Sequence, residues 1–223
     1  MNLTQLQASI QAKGYPSDTA SAAQQLDALN GAYREICGMQ RWPFLEKQDA
    51  TLVTVAGTPD YTVPMTDWRS LDAVRIELVA NSWFADLEYA EPQDFRDMEH
   101  IDRDTARPAY WTWINQQLRF YPTPDANYTV RIDYVMQPPD LAVGADVPVV
   151  PLVYHDVLVW SAIEAVAYRE RDWLGRQFAE TKKEAQLKRM EDEYLIRQRQ
   201  SSSHVKQSGY WNSKRYPFAH SGW

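Results

Sequence analysis

The apolar period of this chain changes twice, and those changes constrain its fold more than any other feature. Up to Trp42 the apolar residues recur at helical spacing. Leu3, Leu6 and Ile10 mark one stripe; Ala22, Leu26, Leu29, Tyr33 and Ile36, with Cys37 alongside, mark a second. From Thr51 to Tyr134 the period is two, as in strands with one face in a core. At Pro151 the helical period returns with Val153, Val157, Trp160, Ile163 and Ala167. A charged helix follows, with the seam Leu187, Met190 and Tyr194. Helices bracketing a run of short strands predict an α+β fold. The N- and C-terminal helices form a bundle, and a small antiparallel β-sheet or barrel is inserted between them. The segments are 1–48 (N-terminal helices), 49–145 (inserted β region), 146–200 (C-terminal helices) and 201–223, an extended tail without either period.

Local punctuation fills in the elements. Gly14 suits the stop of the first helix, and Ser17 or Asp18 the cap of the second. Trp42-Pro43 ends that helix, because a residue before proline is pushed out of the α region. TLVTVAGTPDYTVP (51–64) reads as a hairpin. Residues 69–79 read as a longer strand, Asn81-Ser82 as its turn and 83–89 as its return. EPQDFRDMEHID (91–102) reads as a short acidic helix or loop, and Asn115-Gln116 as a tight turn between strands 109–114 and 118–121. The proline-rich stretch 137–151 is a loop. Gly175 is the expected interruption between the last two helices.

Residues 107–134 are dense in aromatics. Alternation places Tyr110 and Thr112 on one face, and Trp111 and Trp113 on the other; Leu118 and Phe120 share a face opposite Tyr121. The pattern suits a sheet with one face in a core. A protein interface and a stacking platform for a ligand are the other readings.

Several function classes are disfavoured. The net charge of −7 is uneven: residues 1–150 hold 21 acidic and 11 basic side chains, and residues 201–223 hold three basic and no acidic ones. So acidic a body does not grip phosphates by charge. Cys37 is the one cysteine, which rules out an intrachain disulfide; burial as a small hydrophobe is its expected role. The N-terminus lacks the pattern of a signal peptide, and no apolar run is long enough to span a membrane. Glycine-rich phosphate loops, G-x-S-x-G and H-E-x-x-H are missing. His155-Asp156 could belong to a metal-dependent phosphohydrolase, but further ligands of such a site are not evident. The acidic run Glu91, Asp94, Asp97, Glu99, Asp102, Asp104 lacks the ligand alternation and central glycine of a calcium loop. No catalytic residue, metal or cofactor is expected.

The tail is the oddity. It combines Tyr210, Trp211, Tyr216, Phe218 and Trp223 with Lys214 and Arg215 in a segment with no period. Segments that stay disordered are poor in aromatics. We read these seven residues as an arm that docks on another subunit or an acidic partner, with folding back onto its own body as the alternative.

The order of elements resembles the head-to-tail adaptor (connector, or neck) proteins of tailed bacteriophages. The resemblance is carried by the Trp42-Pro43-Phe44 step, by TLVTVAGTPDYTVP and by the strand DAVRIELV. It continues with LRFYPTPD, with VRIDYVMQPPDL and with the proline-introduced helix VPLVYHDVLVWSAIEAVAYRERD, and it spans roughly residues 25 to 195. It implies a virion protein made in the host cytoplasm and built into the neck. Its copies would form a ring, commonly of twelve, that binds the portal protein on one side and tail or nozzle proteins on the other. Genomic DNA would pass through without specific binding, and no membrane would be involved. The competing class is a carbohydrate-binding module of a phage tail appendage, using the Trp111–Trp113 face.

Overall fold

The computed structural model describes residues 1–15, 19–79, 83–101 and 105–207. In chain order the elements begin with helices α1 (Leu3–Ala12) and α2 (Thr19–Met39), then strands β1 (Glu46–Val53), β2 (Asp60–Tyr61), β3 (Trp68–Val79) and β4 (Trp83–Tyr89). Helix α3 (Pro92–Ile101) precedes β5 (Thr105–Ala106), β6 (Tyr110–Ile114), β7 (Gln117–Tyr121), β8 (Thr123–Pro124) and β9 (Thr129–Met136). Helices α4 (His155–Glu170) and α5 (Trp173–Gln207) complete the described chain. The fold is α+β. Two compact units divide it: residues 1–32, 142–146 and 151 onward make a helical unit, and residues 33–141 with 147–150 make a sheet unit.

In the helical unit α1 and α5 both pack on α4. A capping box starts α1: Asn2 Oδ1 accepts from Gln5 N at 2.9 Å, and Gln5 Oε1 accepts from Asn2 N at 3.0 Å. Leu3, Leu6 and Ile10 are buried, as their spacing predicts. Val157, Ile163 and Ala167 are buried on α4, and Leu187 and Met190 on α5. Val153 departs from the expected stripe and is exposed. It lies in a turn of 3-10 helix, Leu152–Tyr154, whose three-residue period is out of phase with α4. The break between α4 and α5 also falls earlier than Gly175. Arg171 adopts the left-handed conformation (φ 62°), and Asp172 Oδ1 then caps α5 by accepting from Gly175 N at 2.9 Å. Helix α5 runs to Gln207, seven residues past Gln200, where the helical period fades in the sequence.

The sheet has the strand order β1-β9-β3-β4-β6-β7-β2. Strand β9 lies between β1 and β3 and pairs antiparallel with both. The expected hairpin over 51–64 is therefore not formed: β1 pairs with β9, and β2 pairs with β7. Tyr61 explains the intervening loop. Its hydroxyl accepts from Val55 N at 2.9 Å and donates to Thr58 O at 2.6 Å, which closes residues 55–61 on a side chain rather than on a ladder. Strands β3 and β4 pair as predicted; their expected turn Asn81-Ser82, like the expected cap Ser17 or Asp18 of α2, lies outside the described residues. The sheet is mixed rather than wholly antiparallel, because β4 and β6 are parallel through Glu88↔Tyr110 and Tyr89↔Trp111, with α3 in the connection.

The β6–β7 turn is Asn115-Gln116, with φ of 53° and 63°. Both residues are left-handed, as a two-residue hairpin of this twist requires, and glutamine is poorly suited to that region. Gln116→Gly should stabilise the sheet unit by about 1 kcal/mol, read as a higher urea midpoint by tryptophan fluorescence. An unchanged or lower midpoint would count against the strain assigned to this turn.

Candidate functional site

The seven tail residues singled out by sequence, Tyr210, Trp211, Lys214, Arg215, Tyr216, Phe218 and Trp223, lie outside the described residues. Among the described residues, the feature with the geometry of a binding site is an aromatic cleft in the sheet unit.

The cleft is built from the β6–β7 hairpin. Its register pairs Trp111 with Phe120 and Trp113 with Leu118, so these four side chains share one face, and Thr112 and Arg119 share the other. The two faces are covered unequally. On the Arg119 side, α3 packs on the hairpin, with Phe95 edge-on to Tyr121 at 5.9 Å between centroids. There the Arg119 guanidinium forms a bidentate pair with Asp60 at 2.6 and 2.9 Å and reaches Glu99 at 3.3 Å. Glu99 thus helps dock α3 on the sheet; Asp102 and Asp104 of the acidic run lie outside the described residues.

On the tryptophan side the hairpin splits in two. Trp111, Leu118 and Phe120 are buried, and Tyr61 packs on Phe120 at 5.4 Å. Trp113 is only partly covered. Trp68 meets it edge-on at 4.9 Å, and Tyr89 meets Trp111 edge-on at 5.0 Å. These four rings, with Leu71 and Asp72, line an open cleft of about 430 Å³. Core packing, favoured by the alternation, therefore holds for Trp111 and Phe120 and stops at Trp113.

Bulges bring Leu71 and Asp72 to the same cleft. In a regular strand, consecutive side chains point to opposite faces. The pairing of β3 with β9 slips between Trp68 and Ser70 and again between Leu71 and Ala73, leaving Arg69 and Asp72 as extra residues. Asp72 so turned meets Arg41, Oδ2 to Nη2 at 2.8 Å, and Arg41 also pairs with Glu46 at 2.8 Å. Burial raises the Asp72 carboxyl above the ordinary aspartate value, against the opposing pull of Arg41. The other bulge residue has a different task. Arg69 donates to the carbonyls of Cys37 (3.1 Å) and Gly38 (3.5 Å), orphan acceptors at the C-terminal end of α2.

Sequence reasoning named Trp111 and Trp113 but missed Trp68, Leu71, Asp72 and Tyr89. These come from strands 20 to 45 residues upstream, and their arrival depends on the parallel β4–β6 step and on the bulges, neither of which leaves a periodic signal.

The other candidates lie apart from this cleft's lining. His155 is buried, and its Nδ1 lies 2.7 Å from the Met1 amino nitrogen. Among the described residues no group of three or more His, Cys, Asp or Glu side chains could hold a metal ion. No described helix is long and apolar enough to cross a membrane. Cys37 is buried as expected, and burial pushes its thiol up to about 12, with Arg69 opposing weakly.

A family model described as SU10 adaptor protein matches residues 1–208. No curated protein matches the chain.

The Cys37 environment has a direct test. The thiolate is the reactive form, so at pH 8 the folded chain should react with Ellman's reagent at least about 100-fold more slowly than the chain in guanidinium chloride. Comparable rates in the two states would show that the end of α2 opens readily.

Proposed function

The chain belongs to the SU10 adaptor protein family, bacteriophage structural adaptors that contact other head and tail proteins, and from that premise we propose that it is a neck-ring subunit. In this reading, copies of the chain assemble as a ring of twelve that joins the portal to the tail or nozzle proteins. The ring lines the channel through which the genome leaves. The family match over residues 1–208 carries the proposal.

Physical chemistry supports it at two points. Residues 33–141 carry 18 acidic and 10 basic side chains, so a channel wall made from the sheet unit repels phosphates and lets DNA slide. A ring also needs heterologous contacts, in which one face of a subunit meets a different face of the next. Both units expose apolar groups that such contacts would cover: Tyr89 in the sheet unit, and Tyr168, Trp173, Leu174 and Phe178 in the helical unit. Tyr210, Trp211, Lys214, Arg215, Tyr216, Phe218 and Trp223 are assigned to the docking arm, and the family match ends just before them.

Electron cryomicroscopy of the chain mixed with the portal protein of its phage tests the reading. The expected image is a closed ring of this chain capping the portal. The same preparation should not retard duplex DNA in a gel at physiological salt. A chain that stays apart from the portal, or that binds duplex tightly, would overturn the proposal.

A further inference from the structure

We propose that the aromatic cleft of the sheet unit is the receptor for the chain's own C-terminal segment, residues 208–223, supplied by a second copy. This deepens the reading of that segment as a docking arm and rests on it.

The cleft states the chemistry of its occupant. Its rings, Trp68, Tyr89, Trp111 and Trp113, stand around one carboxylate, Asp72. Aromatic faces attract a cation on an apolar stem, and tryptophan does so most strongly. The carboxylate adds a charged acceptor held in place by Arg41 at 2.8 Å. Tyr89 is 47% exposed, and Trp68 and Trp113 are partly so; these rings are positioned by one another and left open to solvent. An occupant rich in arginine or lysine, with flanking aromatics to fill the remaining surface, satisfies all of these groups together. A neutral sugar would stack on the rings and leave the acidic field of the unit unused.

The chain carries such an occupant. Residues 208–223 read SGYWNSKRYPFAHSGW, with five aromatics, Lys214 and Arg215, and no acid. The sequence Lys214-Arg215-Tyr216-Pro217-Phe218 places two cations directly before two rings. The sheet unit that would receive it carries eight more acidic than basic side chains over residues 33–141. The described helix α5 ends at Gln207, and a segment of 16 residues spans about 55 Å when fully extended. Exchange of arms between copies gives the heterologous contact that a ring requires.

The test uses the chain ended after Gln207, a fluorescein-labelled peptide of residues 208–223, and fluorescence anisotropy. Saturable binding is expected. It should weaken about tenfold with Tyr89→Ala or Asp72→Asn in the chain, and with Lys214→Glu plus Arg215→Glu in the peptide. It should also weaken as salt rises. The full chain should bind the labelled peptide more weakly than the shortened one, because its own arms compete. Tyr89 is exposed, and circular dichroism will show whether each variant keeps its fold; Asp72→Asn serves if Tyr89→Ala does not. Absence of binding, or equal binding by folded cleft variants, would overturn the assignment. So would cleft-dependent binding of maltoheptaose without binding of the peptide, which would make the cleft a sugar site. None of these results depends on the portal, so failure here leaves the adaptor reading to its own test.

Discussion

Strand β9 is the constraint on which the sheet unit depends. β1 and β3 lie close in sequence, yet neither satisfies the other's backbone groups. Both wait for a strand about 55 to 90 residues further along, and β9 then pairs with both at once. Buried N–H and C=O groups must find partners, so the central sheet cannot close until residues 129–136 arrive. Val130 and Ile132 are fully buried there, against Val74 and Ile76 on β3, so apolar burial and the ladder are completed in one step. Everything between β3 and β9, including α3 and the aromatic hairpin, is a long excursion whose ends that pairing fixes. Contacts of such sequence separation carry a loop-closure cost, which the buried aromatics of the excursion help to offset.

This dependence explains what could be read from the sequence. The helices were legible because each carries its own stripe: Leu3, Leu6 and Ile10 are buried because they repeat every three or four residues. The β6–β7 turn was legible because two left-handed residues joining alternating strands admit few geometries. The stretch 51–64 has turn chemistry in Gly57, Pro59 and Asp60, but long-range pairing overrides that local propensity. In the fold that turn serves Tyr61, whose hydroxyl gathers Val55 and Thr58. A side chain acting as the pivot of a loop leaves no periodic trace. The same holds for Asp172, which moves the helix break ahead of Gly175 through a cap rather than through glycine.

The candidate site was half legible for the same reason. Trp111 and Trp113 announce themselves by alternation. Their partners do not, because Asp72 joins them only through a bulge, and Tyr89 only through the parallel step. Bulges commonly re-aim side chains near binding sites, and here two occur within five residues of one strand. One turns Arg69 to the carbonyls at the end of α2, and the other turns Asp72 to the cleft and to Arg41. The same irregularity that anchors the sheet unit to its last helical turn thus also supplies the carboxylate of the cleft.

The cleft and the acidity of the sheet unit make opposite demands, and an adaptor can meet both. An acidic surface keeps a protein soluble and keeps DNA from adhering, but it discourages like subunits from approaching one another. Exposed rings invite association yet give little direction to it. Rings that flank a carboxylate, within a unit of negative charge, would favour a basic partner over another acidic face. The chain concentrates its unopposed basic charge in one short segment, Lys206 to Arg215, together with aromatics that suit the same rings. In the proposed arrangement, dividing the attractive groups between an arm and a cleft would let the body remain acidic while contacts between copies stay specific. Moving those cations into the sheet unit would weaken both properties at once, because the cleft would lose its preference for a basic occupant and the unit its repulsion of phosphate.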